Sequence, residues 1–131
     1  MKPSWEHPVF RDILLTETYV FDFELHPGLF ELQVDFVLAS SHPLYEGAAP
    51  GEAFDYRRGK IIFSGVSAFR WESTGGRVTV DLDGSSDWDT FDSADWDDSV
   101  WELRGQFGNI TLTADTVEAV FSHVARRRAD S

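Results

Sequence analysis

An antiparallel β-sandwich or partly open barrel is the fold class this sequence predicts, with room for one short C-terminal helix. Three observations lead there. Apolar residues fall at every second position through the first forty residues, glycine and proline punctuate short runs, and the chain holds eleven Phe, five Trp and three Tyr. Aromatic and β-branched side chains suit a pleated, half-buried surface.

The N-terminal lead carries Pro3 and Pro8 and has no periodicity. Tyr19, Phe21, Phe23 and Leu25, then Phe30, Leu32, Val34, Phe36 and Leu38, alternate with period two, which marks two strands. His26-Pro27-Gly28-Leu29 lies between them. If Leu25 opposes Phe30, then Phe23 meets Leu32, Phe21 meets Val34 and Tyr19 meets Phe36, giving one wholly apolar hairpin face. The other face sets Thr18, Val20, Asp22 and Glu24 against Val37, Asp35, Gln33 and Glu31. Glu24 across from Glu31 costs a few tenths of a kcal/mol, whereas a one-residue slip exposes several large side chains at ~1.5–3 kcal/mol each, so burial sets the register.

Residues 40–56 contain Pro43, Gly47, Pro50 and Gly51 among small residues and predict a long loop. From Gly59 to Trp71 the chain is β-rich and interrupted by Gly65, as two short strands or one bulged strand. Gly75-Gly76 then turns into Arg77–Leu82, another alternation, so a hairpin is expected there. Further strands are expected at about Trp88–Asp92, Val100–Arg104 and Asn109–Ala114, with an Asp-rich turn after the first. In the tail, Val117, Val120, Phe121 and Val124 stand at i, i+3, i+4 and i+7, with Asp115 as a cap and Arg126-Arg127-Arg128 suited to a helix C-terminus. That spacing favours a short helix, and a strand is the competing reading.

One hydrophobic core, and so a single domain over residues 1–131, is what this length supports. The absence of cysteine excludes disulfides, thiolate metal sites and a thiol nucleophile. The first residues lack the apolar core of a signal peptide and no run reaches ~18 apolar residues, so a cytoplasmic, non-membrane protein is expected. A formal net charge of −12 argues against nucleic acid, whose phosphates need clustered Lys and Arg, and for a basic partner.

That charge is concentrated. Between Arg77 and Arg104 there is no Lys or Arg, while Asp81, Asp83, Asp87, Asp89, Asp92, Asp95, Asp97, Asp98 and Glu102 alternate with Trp88, Phe91, Trp96 and Trp101. Inward aromatics and outward aspartates explain the pattern without a ligand. A binding reading takes Asp87, Trp88, Asp89, Asp95, Trp96 and Asp97 as a surface with Trp anchors inside an acidic rim. A calcium reading starts at Asp81-Leu82-Asp83-Gly84, but an EF-hand count from Asp81 gives Ser85, Ser86 and Asp92 where an acid, Gly and Glu belong.

Neither a catalytic motif nor a cofactor or metal is expected. His7, His26, His42 and His123 are not at metal-ligand spacing, and three directly precede proline, which points to turns. There is no Gly-x-Ser-x-Gly elbow and no phosphate-binding glycine loop. A hydrolase with two carboxylates has no positive signal, because sequence spacing does not report the separation of the carboxyl groups. The terminal arginines, followed by Asp130, read as a solubilising end.

Phe10-Arg11-Asp12-Ile13 ahead of the hairpin, Gly59-Lys60-Ile61-Ile62-Phe63-Ser64-Gly65-Val66, and Phe107-Gly108-Asn109-Ile110-Thr111-Leu112 resemble small bacterial β-sandwich families of unknown function. Some relatives of that layout are immunity proteins of toxin systems. Those families usually place histidine before the aspartate, where this chain has Arg11. The resemblance implies a sandwich and an immunity-like role, and it carries no functional residue across. The expectation is a non-enzymatic binding protein for a basic partner such as a nuclease toxin. A carbohydrate- or calcium-binding module and a carboxylate-dependent hydrolase are the alternatives.

Overall fold

The computed structural model describes residues 1–72 and 90–122. Their strands are β1 (Lys2–Pro3), β2 (Tyr19–His26), β3 (Leu29–Leu38), β4 (Asp55–Ser64), β5 (Ala68–Glu72), β6 (Phe91–Asp97), β7 (Val100–Gly105), β8 (Gly108–Thr113) and β9 (Thr116–Phe121). They form two antiparallel sheets, of order β1-β6-β7-β8-β5 and β2-β3-β4-β9. Short 3-10 turns, Ser4–Glu6, Pro8–Phe10 and Leu15–Glu17, occupy the lead. The expected hairpin at Gly75-Gly76, the strand at Arg77–Leu82 and the residues from His123 onward lie outside the described residues.

The sandwich follows from two-residue periodicity on both sheets. Phe30, Leu32, Val34, Phe36 and Leu38 on β3, with Ile61 and Phe63 on β4, are buried against Phe91 and Ala94 of β6, Trp101 and Leu103 of β7, and Ile110 and Leu112 of β8. Alternate residues of each strand point away from this core. Phe10, Ile13 and Leu15 from the lead close one side of it.

The β2–β3 hairpin keeps the expected register at its tip, with Leu25 opposite Phe30, Phe23 opposite Leu32 and Glu24 opposite Glu31. Pro27-Gly28 makes the turn, with Gly28 at φ 72°, the backbone that the third position of a type II turn requires. Beyond the tip the register is corrected. A bulge between Val20 and Asp22 places Val20 opposite Val34 and Tyr19 opposite Asp35. Val20 is therefore the buried residue, while Tyr19 and Phe21 face outward and are more than a third exposed. One extra residue reverses the facing of everything before it.

β4 and β5 are two strands, and they belong to different sheets. Gly65, at φ 66°, is the corner between them, and a Cβ there would collide with the Asp115 carboxylate. Gly59, inside β4, faces the core where a Cβ would meet the Val120 carbonyl and the Phe36 ring. The expected C-terminal helix is corrected to strand over Thr116–Phe121. β9 pairs with Gly59–Ser64 of β4, presenting Val117, Ala119 and Phe121 to the core. The Asp-rich turn is corrected as well, since Phe91–Asp97 is strand and the turn is Asp98-Ser99, with Asp98 at φ 57°.

Candidate interaction surface

β6 carries the described half of the sequence-derived site. Asp87, Trp88 and Asp89 lie outside the described residues. Asp95, Trp96 and Asp97 are brought to one strand but not to one face. Trp96 sits opposite the buried Trp101 on the core side, the two rings stacked at 6.1 Å, and its indole N–H donates to the Pro3 carbonyl at 3.1 Å. Lys2 lies 4.9 Å from its ring and His7 packs on it edge-on at 4.7 Å. Trp96 thus anchors the N-terminal lead.

Asp95 and Asp97 alternate with Trp96 and take the outward face. Asp95 stands directly opposite Glu102 of β7. From Thr90 to Leu103 the chain has five acids, Asp92, Asp95, Asp97, Asp98 and Glu102, and no Lys or Arg. Further across the same sheet the charges cancel within their own strands, Arg104 lying 3.5 Å from Glu102 and Arg70 lying 3.3 Å from Glu72. With Glu102 partly neutralised by Arg104, the acidic excess of this face rests on Asp92, Asp95 and Asp97 of β6.

An exposed tryptophan borders this strip, and it is Trp5. It is 64 % exposed, on the Ser4–Glu6 turn that follows β1 and lies against β6. Sequence periodicity passed over it because the lead has none. The available signal was a large aromatic beside Glu6 in a proline-flanked, strand-free segment.

Among the described residues, cavities open beside the sandwich. One, of about 310 Å³, opens where the Asp98-Ser99 turn meets the β8–β9 connection. Another, of about 410 Å³, lies beside the β2–β3 tip among Leu25, His26, Val66 and Phe69. Near that tip the donor atoms of Glu24, His26 and Glu31 come within 4.8 Å of one another, a grouping that histidine spacing did not reveal. The cross-strand register held the signal, since it places Glu24 against Glu31 with His26 two residues along. Lys60 already lies 3.8 Å from Glu31 and partly neutralises the group.

On the outer side of the other sheet, Arg58 donates to the fully buried Asp35 at 2.6 Å and lies over the Phe21 ring at 4.4 Å. At the end of the sandwich, Asp55 accepts from Arg57 and from the backbone N–H groups of Glu46 and Gly47, tying the long loop to β4. Both clusters are accounted for as fastenings of the fold. No helix among the described residues is long and apolar enough to cross a membrane.

No protein-family model, curated protein or solved structure matches the chain.

Proposed function

We propose that this protein is a non-enzymatic binding protein that docks a basic protein on the β6 side of its five-stranded sheet, with Trp5 as the aromatic anchor. The observation that carries the reading is the run of Asp92, Asp95 and Asp97 along a strand that holds no Lys or Arg, with Asp95 set opposite Glu102. Like charges directly across a ladder destabilise a sheet, and a cationic surface laid over them relieves that repulsion. Trp5 adds a large apolar side chain at the border of the strip, the residue type that dominates binding energy. An immunity-like role against a basic toxin fits this chemistry and the resemblance of the sequence. The partner acts here by charge, so the interaction is steered and salt-sensitive.

A charge-matched comparison tests it, with a decalysine peptide as probe. The triple variant Asp95→Asn/Asp97→Asn/Glu102→Gln is set against Asp22→Asn/Glu24→Gln/Glu118→Gln on the opposite sheet, each removing the same charge. At low salt the first weakens binding about tenfold and the second by about twofold or less. Equal losses mean that only net charge matters and the strip is no site.

A further inference from the structure

The cavity at the end of β6 gives the binding reading a specific recognition element. Its walls are two turns held together by the Ala114 N–H donating to the Ser99 carbonyl at 3.0 Å, and the Asp115 N–H fastens the second of them to β4 by donating to the Ser64 carbonyl at 2.9 Å. Asp98 and Asp115 stand exposed at its rim, Ser99 and Thr116 add hydroxyls, and the half-buried His7 imidazole, backed by the buried Trp101 ring 5.1 Å away, forms an aromatic floor. Among the described residues, no Lys or Arg lines it. Burial lowers the pKa of His7, so at neutral pH the floor adds no positive charge.

We infer that this cavity receives an arginine side chain of the basic partner. This rests on the function proposed above and names the group the partner must present. A guanidinium is planar and weakly hydrated, lies well on aromatic surface, and offers five N–H donors to carboxylates and hydroxyls on several sides. A lysine ammonium is a compact, strongly hydrated point charge that uses the floor less well. The volume of about 310 Å³ is at the small end of ligand pockets, fitting one side chain better than a cofactor. Asp98 directly follows Asp97, so the cavity continues the acidic strip and a bound partner can occupy both.

The test uses two probe pairs and follows amide shifts in ¹⁵N-labelled protein together with Trp emission. The first pair is argininamide and citrullinamide, the isostere whose side chain is uncharged. The second is decalysine and the same peptide with one central arginine. Argininamide is expected to shift the Asp98, Ser99 and Asp115 amides saturably, and citrullinamide to bind at least about tenfold more weakly. The central arginine is expected to tighten the peptide several-fold. Asp98→Asn/Asp115→Asn should abolish both preferences, and Asn tolerates the positive φ of Asp98. If the double variant melts early, Asp98→Asn alone should still lower the arginine preference.

Equal binding of argininamide and citrullinamide, shifts outside the cavity, or an arginine preference that survives the variants overturns the inference. In that event decalysine binding that still depends on Asp95, Asp97 and Glu102 leaves the docking strip standing. Argininamide binding without any advantage for the arginine peptide would mark a site for free guanidinium compounds and overturn the partner assignment.

Discussion

Two histidines make the same local structure at opposite ends of the sheets. In His7-Pro8-Val9 and His42-Pro43-Leu44 the imidazole Nδ1 accepts the backbone N–H two residues on, at 3.1 and 3.0 Å. A proton on Nδ1 would remove that acceptor, and burial lowers both pKa values from 6.5, with Asp12 and Asp55 opposing and Arg57 reinforcing the shift at His42. The unfolded chain then binds more protons than the folded one at mildly acid pH. Their contribution is complete above about pH 6.5 and is lost as pH falls through the lowered folded values. Melting temperature should decline from pH 7 to 5, and His7→Asn/His42→Asn should flatten that decline; an unchanged slope contradicts the assignment. The turn role of these histidines was legible from the following prolines, but the bond itself was not, because it depends on a side-chain rotamer. Trp96 shows the same limit: sequence reading left it in an Asp-rich turn, whereas the structure sets it on β6 with a bond to Pro3 that spans 93 residues. The Asp35–Arg58 pair yields a second expectation. Arg58→Ala removes the half-exposed guanidinium from a fully buried carboxylate and should cost about 1–3 kcal/mol in urea unfolding. A loss below about 0.5 kcal/mol, typical of an exposed pair, would show that the pair does little.

The β2 bulge, the extent of β6 and strand β9 are where elements departed from sequence expectation. Tyr19, Phe21, Phe23 and Leu25 satisfy strict alternation, yet Val20 takes the core position because one residue is inserted between Val20 and Asp22. Nothing in the alternation signals a bulge, since both Val20 and Phe21 are apolar. The two registers separate cleanly by mutation. Val20→Asp buries a carboxylate and should abolish folding, whereas Phe21→Asp loses the packing with Arg58 and should cost about 1 kcal/mol. The reverse order would restore the uninterrupted register. In β9, Val117, Val120 and Phe121 fit helical spacing, while Val117, Ala119 and Phe121 fit a strand. The decision came from β4, whose edge from Gly59 to Ser64 offers six residues for pairing, information absent from the segment itself. The corner at Gly65 was legible as a break, but its passage between sheets was not. Gly65→Ala combines a positive φ with a clash against Asp115 and should lower stability by about 1–2 kcal/mol or more; a neutral result would require a different corner.

For the whole molecule, the antiparallel β class was legible because strands such as β2, β3 and β8 carry period two, while β6 and β9 were not legible as strands. The division into sheets was not, because β1 with β6, β5 with β8 and β4 with β9 pair across long sequence separations. The acidic concentration was legible as composition. Its geometry was not: alternation along β6 turns Asp95 and Asp97 outward and Trp96 inward, and the exposed tryptophan proposed as the anchor, Trp5, comes from the lead. Trp5→Ala should therefore weaken capture of a basic partner about tenfold or more while moving the melting temperature little. The most direct measurement is an amide-shift titration of the ¹⁵N-labelled protein with the decalysine peptide at low salt. Shifts clustered at Trp5, Asp92, Asp95, Asp97 and Glu102, and fading as salt is added, are the predicted result. Shifts spread evenly over both sheets, or centred on Asp22, Glu24 and Glu118, would contradict a docking strip on β6.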